Sequence, residues 1–152
     1  MLTAVHNNLD PICVSDSVET EILVIEATVS NSKVRFINAY GNQESAKEEE
    51  RKEFFASVDL EIKSAVVAGA VVCIELDANA KVGREEISND PNEQSPNGKL
   101  LMEIVNNNGL IVVNTTDICE GVVTRKRKVQ ERTEESIIDY FIVGVKILNT
   151  TG

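Results

Sequence analysis

The segment Glu75-Leu76-Asp77-Ala78-Asn79-Ala80-Lys81-Val82-Gly83 places a carboxylate and an amide two residues apart, directly after an apolar run. In that setting the Asp77 carboxylate can position or deprotonate a water molecule, or bind a metal. The Asn79 amide can donate to a phosphate oxygen. The same pair also reads as an Asx-rich turn after a strand, which needs no function. A second candidate is Asp139, embedded in the apolar segment Ser136-Ile137-Ile138-Asp139-Tyr140-Phe141-Ile142-Val143. A buried carboxylate is costly without a partner, so something should pair with it. An aspartate at a strand end that faces water needs none. The third is Tyr40-Gly41-Asn42-Gln43, where a strand ends in a phenol and an amide follows three residues on. By itself that segment is ordinary core and turn.

The elements around these residues must position them. Residues 21–29 are rich in β-branched side chains and lack Gly and Pro, so they read as a strand. Asn31-Ser32 is a turn signal, and residues 33–40 read as the second strand of a β-hairpin. Ser45 and Glu48 have capping-box spacing. Glu48, Glu49 and Glu50 suit the first turn of a helix, where the dipole favours negative charge. Phe55, Val58, Ile62, Ala65 and Val66 then mark one apolar face of a helix reaching about Val67. Residues 70–76 form a continuous apolar run broken only by Glu75, which predicts a buried strand. Residues 84–96 read as a loop. Leu100, Leu101, Ile104 and Val105 predict a second helix ended by Gly109. Strands follow at 110–113, 121–124 and 137–143, with the charged residues 125–135 as the tip of a long hairpin. The first 17 residues read as a weak strand and then a loop. Helices between strands predict a layered α/β fold with a mixed sheet. In such folds ligands bind where strands end, which is where Asp77 and Asn79 fall.

Composition narrows the function. The chain has 152 residues, 15 Lys and Arg against 25 Asp and Glu, and a formal charge of −10. Its 42% hydrophobic content is enough for a core and excludes wholesale disorder. Three cysteines without metal-like spacing argue against a disulfide framework or a zinc cluster, and for a reducing, intracellular setting. No apolar run reaches the ~18 residues a membrane span needs, and no signal-peptide pattern opens the chain. The acidic balance argues against nucleic-acid binding by bulk charge. An acidic protein can still bind phosphates through a divalent cation.

Taken in order and at these separations, the three segments resemble the endonuclease/exonuclease/phosphatase superfamily. The likeness is greatest to the endonuclease domains of LINE-type retrotransposons and to apurinic/apyrimidinic endonucleases. Asp77-Ala78-Asn79-Ala80-Lys81-Val82-Gly83 resembles the family's Gly-Asp-Phe-Asn-Ala motif, and Tyr40-Gly41-Asn42-Gln43 its Tyr-x-Pro-Asn segment. Asn97-Gly98 through Asn114-Thr115 resembles the helix and strand that follow, and Thr124, Ser136 and Ile138-Asp139-Tyr140 resemble its Thr and Ile-Asp-Tyr segments. Leu76 stands where the family has Gly, and Asn42 where it has Pro. The resemblance covers about residues 4–147. It implies one partial domain over residues 1–152, a partial four-layer α/β sandwich with mixed, largely antiparallel sheets of DNase I type.

The resemblance also implies roles. Asp77 would position or deprotonate the attacking water, and Asn79 would hydrogen-bond a non-bridging phosphate oxygen. Tyr40 would set its hydroxyl near the phosphate, with Gln43 beside it. Asp139 would orient a catalytic histidine, and Thr124 and Arg125 would lie on the substrate side. The implied cofactor is Mg²⁺. The family's metal-binding Glu and catalytic His would fall outside residues 1–152, and the one histidine, His6, sits in the wrong segment. The expectation is therefore a fragment of a Mg²⁺-dependent endonuclease or phosphodiesterase acting on DNA, nuclear if retroelement-derived, with little or no activity alone. The alternatives are a non-catalytic protein-interaction module that keeps the fold, and a retroelement fragment with no cellular role. Arg125-Lys126-Arg127-Lys128 would contact a nucleic-acid backbone, or is simply a solvated hairpin tip. His6 reads as a surface or edge-strand residue and Cys73 as a buried structural one. Sheet edges left open at both ends would favour self-association.

Overall fold

The computed structural model describes residues 9–17, 21–84, 86, 90, 92–116, 118–119 and 123–144. Its elements are β1 (Ile12–Ser17), β2 (Ile22–Val29), β3 (Ser32–Tyr40), α1 (Glu48–Val67), β4 (Val71–Asp77), α2 (Pro96–Asn107), β5 (Leu110–Val112), a 3₁₀ turn (Val113–Thr115), β6 (Arg125–Val129), β7 (Arg132–Ser136) and β8 (Asp139–Gly144). Six strands form a mixed sheet in the order β1-β2-β3-β4-β8-β5, and β6 and β7 form a separate ribbon. β2 and β3 pair antiparallel from Ile22↔Ala39 to Val29↔Ser32. The two residues between them, Ser30 and Asn31, both have positive φ, the backbone of a tight hairpin turn. β3 and β4 are parallel, so the chain must cross over between them, and α1 is that crossover.

Both helices cover one face of the sheet. Phe54, Phe55, Val58, Ile62 and Ala65 of α1, with Leu101, Met102 and Val105 of α2, pack on Ile37, Ile74, Leu76 and Ile142. Side chains such as Ile62 and Ile74 are almost wholly removed from water. Each such burial contributes about 1.5–3 kcal/mol. Arg35 ties β3 to α1 from the same face, donating to Ser64 Oγ (2.9 Å) and pairing with Glu26 (3.2 Å). On the opposite face Val34, Cys73 and Val143 form a smaller cluster with Phe36, Val71 and Val113. Burial pushes the Cys73 thiol up to about 11, with Glu75 adding to it, so it stays protonated as a structural cysteine.

Several expectations are revised. β1 occupies residues expected to be loop. The cap of α1 is Lys47, with no side-chain hydrogen bond, so the Ser45–Glu48 spacing does not make a capping box. Phe55, Val58, Ile62 and Ala65 are buried as expected, Phe54 joins them in the core, and Val66 is exposed near the end of the helix. α2 begins earlier than the apolar spacing suggested. Ser95 caps it by accepting from Gly98 N–H, and Pro96 fills the first position, where no N–H is needed. Gly109 follows the Asn108 cap at φ +60°, as the expected stop requires. Val123 and Thr124 lie outside any strand, and the charged residues that were expected to be a tip are instead the whole β6–β7 ribbon. His6 lies outside the described residues.

Candidate active site

Strand register brings the three candidate segments together. Tyr40 pairs with Asp77 across the parallel β3–β4 ladder, and Asp77 pairs with Asp139 across the antiparallel β4–β8 ladder. The phenol and the two carboxylates therefore stand in one row across three adjacent strands. Alternation puts them on the face away from the helices, since Phe36, Cys73 and Val143 lie an even number of residues from them. β3 and β4 end here together, at the carboxyl end of the parallel pair.

Asp77 is half-buried, and its Oδ1 accepts the Asn79 N–H (3.1 Å). That is the Asx turn anticipated from the sequence, and it coexists with the site rather than replacing it. Asn79 adopts φ +43°, a left-handed conformation that Asn tolerates better than most residues. Its side-chain amide donates one hydrogen to the Gly41 carbonyl (2.8 Å), leaving the second for another acceptor. Gly41 N–H donates to the Asp77 carbonyl (2.7 Å), and Ala78 N–H to the Ile138 carbonyl (2.9 Å). The loops approach so closely that a Cβ at Gly41 would meet the Ala78 carbonyl oxygen at 3.0 Å. Burial raises the Asp77 carboxyl above its ordinary range. The Asn79 N–H opposes this, the Asp139 charge adds to it, and Arg125 opposes it.

Two adjoining cavities open on this row. One, of about 490 Å³, is lined by Tyr40, Gln43, Asp77, Asn79, Lys81 and Arg125 among others. The other, of about 400 Å³, brings Asp139, Thr124 and Asn114 to the same Tyr40 and Asp77. The structure thus gathers all seven candidate residues at one place. Tyr40, Gln43 and Arg125 are exposed there, and Asp139 is half-buried. Thr124 is tied into the fold. Its hydroxyl oxygen accepts the N–H groups of Ile138 (3.0 Å) and Asp139 (3.2 Å) at the start of β8.

Three further residues, which the sequence marked only as members of the resembling segments and gave no role, build the site. Asn97, fully buried at the start of α2, donates to the carbonyls of Asn42 (2.9 Å) and Asn79 (3.2 Å). Asn114 grips β8 beside Asp139, donating to the Asp139 carbonyl (3.2 Å) and accepting the Phe141 N–H (2.9 Å). The Tyr140 hydroxyl accepts the Val82 N–H (3.2 Å) and lies within donating distance of the carbonyls of Ala80 (3.0 Å) and Ile137 (2.9 Å). Asn97 stands directly before a glycine, and a Cβ at Gly98 would overlap the Lys81 carbonyl oxygen. That Asn-Gly pair next to a helix start was the available signal.

The donor set does not by itself fit a metal ion. Among the described residues no three His, Cys, Asp or Glu side chains stand close enough to hold one. Asp77 and Asp139 would need a further ligand. Among the described residues, no helix is long and apolar enough to cross a membrane.

No protein-family model matches the sequence, and no curated protein matches it. Solved structures do. The endonuclease domain of TRAS1, a telomere-specific non-LTR retrotransposon, superposes with a TM-score of 0.64 at 19% identity, covering 95% of this chain and 59% of that one. The 3′-5′ exonuclease NExo from Neisseria meningitidis gives 0.60 at 17% identity over 83% of this chain and 54% of its own. An endonuclease/exonuclease/phosphatase family protein from Leptotrichia buccalis gives 0.57 at 12% identity over 86% and 46%. The chain has the fold of the endonuclease/exonuclease/phosphatase superfamily, the DNase I-like fold. It spans roughly half to three-fifths of the length of these structures.

Proposed function

We propose that this chain is part of a Mg²⁺-dependent phosphodiesterase of retroelement endonuclease type, acting on nucleic acid. The observation that carries this reading is the row of Tyr40, Asp77 and Asp139 across β3, β4 and β8, with Asn79 and Gln43 on the same cavity. In that row Asp77 orients the attacking water, and its raised pKa brings it nearer the range in which a carboxylate accepts a proton. Asn79 directs its remaining amide hydrogen at a non-bridging oxygen, and the Tyr40 hydroxyl stands opposite. Arg125 offers a positive charge where charge builds on the phosphate. Asp139 is placed to orient a histidine. Mg²⁺, when bound, would neutralise charge on the phosphate oxygens, but it requires a ligand beyond the described carboxylates.

On this reading the chain alone cleaves little or nothing. Incubation with plasmid DNA or abasic-site DNA plus Mg²⁺ tests it. Strong cleavage that vanishes in Asp77→Ala would overturn the inactivity while supporting the chemistry. A non-catalytic protein-interaction module is the second reading, favoured by the charge of −10. Absence of DNA affinity with and without Mg²⁺ would support it over the first.

A further inference from the structure

The two loops that carry the candidate site are joined by a side chain that lines neither cavity. Asn97 is wholly removed from solvent, an unusual place for an amide unless every polar atom is satisfied. Its Nδ2 bridges the carbonyl of Asn42, next to Gln43, and the carbonyl of Asn79. Its Oδ1 accepts from Arg51 Nη1 on α1 (3.1 Å), and its backbone N–H donates to Glu44 Oε1 (3.2 Å). Arg51 also faces Glu44 at 3.8 Å, while its Nε is buried without a partner.

From this geometry we infer that Asn97 is a positioning residue, and that Arg51 sets its orientation. With Arg51 holding Oδ1, the amide cannot flip, and both Nδ2 hydrogens must point at the two loop carbonyls. The Tyr40–Gln43 loop and the Asp77–Asn79 loop then keep one separation. The loops also touch directly, through Asn79 Nδ2 on the Gly41 carbonyl (2.8 Å) and Gly41 N–H on the Asp77 carbonyl (2.7 Å), and Asn97 adds a bridge that reaches further along each loop, to the carbonyls of Asn42 and Asn79. The site inference rests on the proposed function, but the coupling of the loops does not.

Backbone order in the ¹⁵N-labelled chain, read from heteronuclear NOEs, tests the coupling. Asn97→Asp keeps shape and the bond to Arg51 but removes both Nδ2 donors. Arg51→Met keeps the helix and removes the restraint on the amide, and Arg51→Lys keeps a donor. The expected result is lost order confined to residues 41–44 and 78–81 in Asn97→Asp and Arg51→Met, with wild-type order in Arg51→Lys. Affinity for a single-stranded oligonucleotide in Mg²⁺ should fall at least tenfold in the two loosened variants. Should Asn97→Asp fail to fold, Arg51→Met carries the test. Loops as ordered as wild type in the folded variants, or lost order spread evenly through β2, β3 and β4, would overturn the inference. A wild-type chain that does not bind the oligonucleotide would instead count against the proposed function, and the NOE comparison would still decide the coupling.

Discussion

Asp77 and Arg125 line the same cavity, yet their backbones are held by different kinds of contact. Asp77 ends a strand paired on both sides, with β3 and with β8, in the middle of the six-stranded sheet. The loop after it is bonded to Gly41, Asn97 and Ile138. Arg125 begins a two-stranded ribbon whose ladder pairs only with itself. Its residues from 125 to 128 are all exposed, and Lys126 pairs with Glu135 across the ribbon (2.7 Å). Among the described residues, the side-chain hydrogen bonds that join the ribbon to the rest are the Thr124 hydroxyl under β8 and Asn92 Nδ2 donating to the Glu135 carbonyl (3.1 Å). An isolated two-stranded ribbon is marginal in water. The groups whose placement must be accurate sit on the rigid element, and a charge, which acts over a longer distance, sits on the soft one.

That contrast can be broken from the rigid side first. Gly98→Ala should be the most damaging change, because its Cβ would overlap the Lys81 carbonyl and neither backbone is free to yield. A loss of about 4 kcal/mol or outright failure to fold is expected. Urea denaturation measures it, and a loss under about 1 kcal/mol would mean the loop after Asn79 is soft after all.

Thr124→Val attacks the junction between the regions. It leaves the Ile138 and Asp139 N–H groups without their acceptor at a junction that is only partly buried, at a cost of about 1 kcal/mol. Thermal denaturation followed by far-UV circular dichroism would show it. An unchanged Tm would indicate that water replaces the hydroxyl and that the ribbon is even less attached.

Asp77→Asn should act in the opposite direction. Burial holds the Asp77 carboxyl in the folded chain above the ordinary value of 3.8, so the native state keeps that proton to higher pH than the unfolded state does. Stability from this group is present at low pH and is lost as pH rises from the ordinary aspartate value through the raised native one. Asparagine carries no such penalty and can still accept the Asn79 N–H. The variant should match wild type well below pH 4 and exceed it at neutral pH. Tm measured across that pH window checks the sign, and a variant less stable at neutral pH would contradict it.

The smallest effect on stability is expected at the ribbon. Arg125→Ala with Arg127→Ala should change unfolding free energy by less than about 0.5 kcal/mol, since neither side chain is buried. The same pair should weaken oligonucleotide binding and flatten its salt dependence. A salt slope equal to wild type would assign the ribbon to solvent alone.

Much of the fold was legible from local pattern. The β-branched runs at 22–29 and 71–77, the three glutamates opening α1 and Gly109 closing α2 each report on their own neighbours, and each is where it was expected. The candidate residues were legible too, as types at the ends of strands. Misreadings fell where tertiary contact outweighed local signal. Ser45 had capping spacing, but the turn at 43–46, closed by Ala46 N–H on the Gln43 carbonyl, brings the chain into α1 at Lys47 instead. The 125–135 segment looked like a tip because charge hides strand alternation, and its pairing is visible only across the ribbon. Asn97 carried no apolar period and no metal-like spacing; the Asn-Gly pair marked the segment, but its role shows only in its burial and its bonds to both loops.

By itself, then, the sequence determined most of the strand and helix stretches, and that a phenol would close one strand, a carboxylate with an amide two residues on would close another, and a second carboxylate would belong to a third. Those properties follow from neighbouring residues and from side-chain period. The alignment of Tyr40, Asp77 and Asp139 in one row was decided only by tertiary structure. It depends on the register of β3, β4 and β8, whose partners are 37 and 62 residues apart in the chain (77 − 40 and 139 − 77). A slip of one residue in either ladder would turn one of the three to the opposite face, and the packing of the helices on Ile37, Leu76 and Ile142 is what forbids the slip.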